Sequence, residues 1–326
     1  MSVNLDQSNP VISVFAPVSI GNVSVGFDNL GLAVSPIDGQ LLGDIVQISA
    51  SSDQQNHLSC KGSYQSILPE NNQENIIWHC LMEFNQQYQK VGGVVQPVQL
   101  TLIKDIPICS GMGSSACSVV AGLMALNEFY AMPFDENQLL AMMGKIEGQI
   151  SGGVHYDNVA PCYLGGLQLM IGLEDSISQS IPIFDECYWV ISYPDIKVST
   201  RMAREILPKE YPLKDVIDSA RLLAGFIDAS HRQDKEQAFK LLKDIIAEPY
   251  RTSLLNNFQQ TKDQLMASDC LSVGISGSGP TVFAVCDNLE SAEKAKQIFS
   301  SNYSQTEKSF THICKADTQG ARIVLL

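Results

Sequence analysis

The first third of the chain reads mostly as strands. "VISVFAPVSI" (residues 11–20) and "DIVQISA" (44–50) are short, rich in β-branched residues, and bounded by Pro, Gly and Asp. In "GGVVQPVQLTLIKDIPI", Val98, Leu100 and Leu102 alternate ahead of a turn-prone proline and predict another strand. Between them, "NIIWHCLMEFNQQY" places Ile76, Ile77, Cys80, Leu81 and Phe84 on one side of a helix. After a glycine-rich stretch, Ala116, Val119, Val120, Leu123 and Leu126 recur at helical period and predict a helix over 115–130. A second helix follows. Asp135 with Gln138 three residues on resembles a capping box, and Leu139, Leu140, Met143, Ile146 and Ile150 supply the apolar stripe.

"LGGLQLMIGL" and "CYWVISY" then read as strands, and the character changes. "STRMAREIL", "LKDVIDSARLLAGFIDASH" and "KEQAFKLLKDII" are helical, and a further helix is expected near 251–267. "LSVGISGSGPTVFAVC" reads as strand, loop, strand. A helix at "LESAEKAKQIF" and a last strand near "ARIVLL" finish the chain. Strands and helices mix without strict βαβ alternation, which predicts an α+β fold rather than a doubly wound parallel sheet. The 326 residues suit two domains, divided here as 1–175 and 176–326.

Composition narrows the function. With 45% hydrophobic and 17% charged residues the chain is globular in type. No apolar run reaches about 18 residues, so a membrane span is not expected, and the start of the chain shows no secretory signal. A formal charge of −14 repels nucleic acid and anionic membranes. Nine cysteines without any C-x-x-C fit scattered thiols in a cytosolic protein, not a disulfide framework or a zinc site.

An acidic chain that nonetheless holds an anion must do so locally, and "DIPICSGMGSSACSVVAGLMALNEFY" (105–130) offers the means. Gly111 and Gly113 allow positive φ and close backbone approach, and the following helix would aim free N–H groups and its positive end at the loop. Ser114 and Ser115 add hydroxyls. No lysine follows the glycines, so this is not the usual nucleotide loop; a plain glycine turn with a serine N-cap is the other reading. Glu147 falls in the apolar stripe of its helix, where a carboxylate needs either a cationic side chain or a metal such as Mg²⁺. "SGGVHYDNVAPCYLGG" (151–166) gathers His155 and Asn158 in what reads as an ordered loop. Asn22 and Asp28 lie among Gly21, Gly26 and Gly31, as ligand contacts or as plain turn residues. Ser199 or Thr200 is placed to cap a helix carrying Arg201 and Arg204 in its first two turns, where positive charge opposes the dipole. Arg204 and Arg251 would suit a carboxylate-bearing substrate, whereas Arg201 reads as a surface partner of Glu205 or Asp195. "GISGSGPTVF" (274–283) reads as a glycine-rich turn able to buttress a neighbouring site.

Three of these segments, in this order, resemble the motifs of the GHMP small-molecule kinases: "APVSIGNVSVGFDNLG", "PICSGMGSSACS" and "SGSGPT". Within that superfamily the chain is most similar to the homoserine kinases, through "SVGFDNLGLAVSPIDGQLLGD", "IEGQISGGVHYDNVAPCYLGG", "PDIKVSTRMAREILP" and "IAEPYR". The resemblance runs from about Val14 to the final strand. It implies a two-domain GHMP kinase fold, ATP-binding in its N-terminal half, with the active site in the interdomain cleft. It implies a cytoplasmic phosphotransferase that uses ATP and Mg²⁺ to phosphorylate L-homoserine on the route to threonine, with a homodimer as a family expectation only.

Residue by residue, the resemblance assigns the ATP phosphates to Pro107 and the run Ser110, Gly111, Met112, Gly113, Ser114, Ser115 and Ala116, and Mg²⁺ to Ser115 and Glu147. Asn22, Asp28, His155, Asn158, Thr200, Arg204 and Arg251 would surround homoserine, the arginines on its carboxylate and Asp28 on its ammonium. Asn22, Asp28, Asn158 and Arg204 would stand at the catalytic centre. Where relatives place a catalytic aspartate, this chain has Asn158, so transfer is expected to run by positioning and charge stabilisation. Ile20 and Gly21 depart from the expected Ser-Ala. The alternatives are another GHMP enzyme acting on a different alcohol and a non-catalytic ligand sensor; intact Ser115 and Glu147 argue against the sensor.

Overall fold

The computed structural model describes residues 10–151 and 153–326. Residues 1–9, and the side chain of Ile150 expected in the second helix's stripe, lie outside the described residues. In chain order the N-terminal half holds β1 (Ile12–Pro17), β2 (Ser19–Gly21), β3 (Leu30–Pro36), β4 (Gly43–Ala50), β5 (His57–Lys61), helix α1 (Ile76–Lys90) and β6 (Val98–Ile103). Helices α2 (Ser114–Phe129), α3 (Glu136–Ser151) and α4 (Val159–Leu164) follow, then β7 (Leu167–Met170), β8 (Ser178–Ile181) and β9 (Tyr188–Tyr193). The remainder is α5 (Thr200–Glu205), α6 (Leu213–His231), α7 (Lys235–Leu241), α8 (Glu248–Arg251), α9 (Phe258–Met266), β10 (Ser272–Ile275), β11 (Val282–Cys286), α10 (Leu289–Asn302), β12 (Phe310–Ala316) and β13 (Arg322–Ile323).

The strands form two sheets, in the α+β arrangement expected. One runs β13-β1-β4-β6-β5, antiparallel except for β5 against β6. The other runs β10-β11-β9-β12-β3-β7-β8, all antiparallel, with β2 paired to β3. The sheets draw strands from both halves of the chain: β3 pairs with β12, and β13 with β1. Helix α2 lies on β1 and β4 with α1, α3 and α4 beside it. Its residues are buried nearly all round, as an apolar helix in the middle of a layer must be. A second core forms where α9 and α10 pack on β9, β10 and β11, through Phe258, Leu265, Phe299 and Tyr303.

Most local signals hold. Asn75 caps α1 by accepting from the Ile77 N–H at 3.0 Å. Asp135 and Gln138 make a reciprocal capping box, each side chain accepting the other's backbone N–H at 2.9 and 3.0 Å. The structure differs at four places. Residues 159–164 of the supposed loop form α4, because Pro161 sits in the first turn, where its missing N–H is harmless. Helix α7 stops at Leu241, and Asp244 instead accepts from the N–H groups of Ile246, Ala247 and Glu248, starting α8. The helix expected over 251–267 is broken, since Asn257 adopts a left-handed φ of 59° that a helix interior excludes. Strands β3, β5, β8 and β12 have no counterpart in the sequence reading; β12, half-buried along most of its length, lacks a clean alternation.

Removing the Asp135 cap by Asp135→Ala should lower stability by about 1 kcal/mol. Urea unfolding should show a lower midpoint with an unchanged slope, and an unmoved midpoint would show the box to be idle.

Candidate active site

The floor of the site is a seam of backbone. The turn between β10 and β11 lies against the glycine loop that precedes α2: the Ser276 hydroxyl donates to the Gly111 carbonyl at 2.6 Å, and the Thr281 N–H to the Ser110 carbonyl at 3.0 Å. The Gly277 N–H donates to the Gly21 carbonyl at 2.9 Å, and the Ser19 N–H to the Met112 carbonyl at 3.2 Å. All three glycine-rich segments therefore meet, and the buttressing role read for "GISGSGPTVF" is what the turn performs.

In the loop itself, Gly113 (φ 67°) precedes the first helical residue, and no side chain caps α2. The serine N-cap reading therefore fails. The Ser114 hydroxyl donates to the Ile106 carbonyl at 3.2 Å, and that of Ser115 to Glu147 Oε1 at 2.6 Å. The first N–H groups of α2 are left to a ligand, and an anion is the ligand they suit. Ser110, Met112 and Ala116 are buried, so what they can offer a phosphate is a backbone N–H, whereas Pro107, also buried, has no N–H and can only shape the loop.

Ser115 and Glu147 face each other from α2 and α3. Burial pushes the Glu147 carboxyl up, opposed by the Ser115 hydrogen bond and the charge of Lys104. Two hard oxygen donors this close, one a carboxylate kept from bulk water, fit a Mg²⁺ that also takes phosphate oxygens.

Beside the loop, charged and polar groups from five parts of the chain converge. Asn22 (φ 67°) accepts from the Asp28 N–H at 2.9 Å and donates to the Gly277 carbonyl at 3.2 Å, which holds the 22–29 loop over the β10–β11 turn. Asp28 receives Arg204 through two bonds, of 2.8 and 3.2 Å. His155 Nδ1 lies 3.7 Å from Asp28, and burial pulls this imidazole down. Ser199 caps α5 through the Met202 N–H, so Thr200 is the helix's first residue and Arg204 sits one turn in. Arg201 pairs with Glu205 at 2.7 Å on the surface, as read from the sequence. Arg251 is buried, with Nε on the Ala203 carbonyl at 3.1 Å and Nη1 on the Gly277 carbonyl at 2.9 Å. It thus binds α5 to the β10–β11 turn, and both arginines lie over the Phe27 ring, at 5.8 Å (Arg204) and 5.2 Å (Arg251).

Asn158 stands between this cluster and the glycine loop. Its Oδ1 accepts from the Ser19 hydroxyl at 2.9 Å and its Nδ2 donates to Asp157 Oδ2 at 3.0 Å. The sequence reading singled out His155 and Asn158 in this loop and gave Asp157 beside them no role. Asp157 is buried, and desolvation together with the charge of Asp28 pushes its carboxyl up to about 7, against the pull of Arg204. A second unforeseen residue is Lys104, buried beneath the loop. Its signal was present: it continues the inward alternation of Val98, Leu100 and Leu102.

Known proteins resemble this chain in sequence and in fold. Residues 75–166 match the model described as the GHMP kinases N terminal domain, and residues 226–305 match GHMP kinases C terminal. Among solved structures, homoserine kinase from Cytophaga hutchinsonii is 28% identical, with a TM-score of 0.88 over 99% of this chain and 100% of that one. Phosphomevalonate kinase from Streptococcus pneumoniae (12% identity, TM-score 0.68, 97% and 99% covered) and mevalonate kinase from Methanococcus jannaschii (14%, 0.64, 95% and 99%) share the fold.

Asp157 makes stability depend on pH. Its native pKa of about 7 lies above the ordinary value of 3.8, so the folded chain holds the proton more tightly. That stabilisation is complete below about pH 4 and is lost as pH rises through 7, on the order of 4 kcal/mol in all. Asp157→Asn should therefore gain in melting temperature relative to the parent between pH 5 and pH 8. A difference that stays flat across that range would contradict the assignment.

Proposed function

The chain belongs to the GHMP kinases, which are ATP-dependent phosphotransferases, and on that footing we propose that it is a homoserine kinase. It transfers the γ-phosphate of ATP to the side-chain hydroxyl of L-homoserine, giving O-phospho-L-homoserine on the route to threonine. The observation that carries this reading is the Asp28–Arg204 pair beside Asn158 and the phosphate loop. An α-amino acid presents one carboxylate and one ammonium a few bonds apart. A site with a fixed guanidinium and a fixed carboxylate side by side matches both, whereas a sugar or mevalonate lacks the ammonium that Asp28 requires. The 28% identity to the Cytophaga hutchinsonii enzyme supports the same choice.

In this reading the loop from Pro107 to Ala116 takes the ATP phosphates through its backbone N–H groups. Ser115 and Glu147 would hold Mg²⁺, which would supply positive charge to offset that of the phosphates. Arg204 takes the carboxylate of homoserine and Asp28 its ammonium, with His155, Thr200 and Arg251 closing the pocket. Asn22 and Asn158 orient the acceptor hydroxyl. Its oxygen forms the new bond to the γ-phosphorus as the bond to the bridging oxygen breaks, ADP leaves with that electron pair, and the hydroxyl proton passes to the phosphate product or to water. Positioning and charge stabilisation do most of this work, because the transition state is loose. A cytoplasmic homodimer belongs to the same proposal.

ADP release measured against L-homoserine, L-serine, L-threonine, galactose and mevalonate should show turnover with homoserine alone. A folded, ATP-binding protein inactive on all five would sink the substrate assignment. Glu147→Ala should cut kcat by at least about 100-fold while leaving homoserine binding within a few-fold; full activity would remove Glu147 from the metal site. The pH–rate profile of the parent decides the role of Asn158: a limb near pH 7 that disappears in Asp157→Asn would mean that a base takes the hydroxyl proton.

A further inference from the structure

We propose that Lys104 is the cation of the phosphate loop, acting from beneath: it fixes the first peptide of α2 so that the N–H groups above it are set for a polyphosphate. This deepens the nucleotide reading and rests on it.

Lys104 is 2% exposed, just past the end of β6. All three of its ammonium protons have acceptors: Asp44 Oδ2 at 2.5 Å, the Ser114 carbonyl at 2.7 Å and the Ser118 hydroxyl at 3.0 Å. Asp44 is as fully engaged. Its Oδ1 accepts from the N–H groups of Asp105 and Ile106 at 3.2 and 3.3 Å, and its Oδ2 also accepts from the Ser118 hydroxyl at 2.6 Å. One network thus ties β4, the strand end that leads into the loop, and the first turn of α2.

The contact with Ser114 gives the network its direction. Ser114 is the first residue of α2, directly after Gly113. The peptide joining it to Ser115 is planar, so holding the Ser114 carbonyl downward holds the Ser115 N–H upward, toward the loop. The residue on the far side of that peptide carries the Ser115 hydroxyl that meets Glu147. A Walker lysine touches phosphate itself. This ammonium has no proton left for that, and its position under the helix leaves it only an indirect part.

Stability does not explain the pair. Two buried charges contribute little over well-packed neutral groups, although removing one of them alone is strongly destabilising. A positioning role accounts for a costly lysine placed at the one helix end where phosphate is expected.

The test compares the parent with the double variant Asp44→Asn/Lys104→Met. The introduced amide keeps an oxygen for the Asp105 and Ile106 N–H groups and offers its own N–H to Ser118, while net charge is unchanged; Lys104→Met alone strands a buried carboxylate. Calorimetric titration with MgADP and with inorganic tripolyphosphate should show both binding about tenfold more weakly in the double variant, with KM for homoserine within about twofold. Ser118→Ala, which keeps both charges and removes one acceptor of Lys104 and one donor to Asp44, should weaken both ligands by about threefold and covers the case in which the double variant does not fold. Unchanged affinity in a folded variant overturns the role of Lys104 and leaves the nucleotide reading standing. Equal losses for MgADP and homoserine overturn it as well, since they mean general damage. A parent that binds no MgADP overturns the nucleotide reading and this proposal together.

Discussion

The hydrogen bond from the Ser276 hydroxyl to the Gly111 carbonyl closes a seam on which the rest of the site depends. Residues 21, 111 and 277 are far apart in the chain, yet their backbones touch. Backbones approach that closely only where no Cβ intervenes. A Cβ on Gly111 would lie 2.7 Å from the carbonyls of both Ser276 and Gly279, and one on Gly113 would lie 2.3 Å from the Ser19 hydroxyl. The glycines of the phosphate loop are therefore required by the protein's own packing before any ligand is considered. Read from sequence, they allow a ligand to come close. In the fold, they let the third motif and Ser19 come close, and the ligand gains a rigid loop as the result.

Charge imposes the second constraint. A chain of formal charge −14 attracts no polyanion through its overall field, so the attraction must come from groups fixed near the loop. The uncapped end of α2 supplies partial charge, and the burial of that helix keeps it from moving. Positive side chains are few here and each is held. Arg204 is paired, Arg251 is spent on carbonyls of α5 and of the β10–β11 turn, and Lys104 is enclosed. Lys104 and Arg251, fully engaged, need no reorganisation when a ligand arrives, which is where preorganised sites gain over flexible ones.

What could be read in the sequence follows from the range of the interactions concerned. Caps, turns and helical stripes are local, so Asp135 with Gln138 and the α1 and α2 stripes were legible as they stand, while the Asn75 cap of α1 went unread. The three ordered glycine motifs were legible because backbone chemistry leaves a residue-type signature. Strands such as β3 and β12, which pair across the two halves of the chain, were not, since their partners are almost 280 positions away and no local pattern records them. The parts played by Lys104 and Asp157 were missed for a related reason. A buried charge is recognised by its partners, and those of Lys104 come from β4 and α2 while those of Asp157 include Asp28 and Arg204. The inward alternation at Lys104 was visible, but its meaning depends on Asp44, sixty residues earlier. Arg204 and Arg251 show the converse. Their type and placement pointed to a carboxylate, but only the fold separates Arg204, paired and one-third exposed, from Arg251, which is almost wholly engaged in holding α5 in place.

On the proposed reading, the Asp28–Arg204 pair also bears on how the substrate enters. A pair exposed to about a third at each end is worth little as an ion pair, because water screens it and offers replacement partners. Opening it is correspondingly cheap. A zwitterion that slides between the two groups restores both charge contacts and adds a second pair of opposite charges, so the exchange is close to neutral in Coulomb energy for the protein. A ligand with only a carboxylate would occupy Arg204 and leave the charge of Asp28 acting on Asp157 with less to offset it. Burial has already pushed Asp157 toward its neutral form, and an uncompensated Asp28 would push it further. On the proposed reading, Asp28, acting on Asp157, thus disfavours a ligand that brings no ammonium, and selectivity arises from the penalty on the wrong ligand as much as from attraction to the right one.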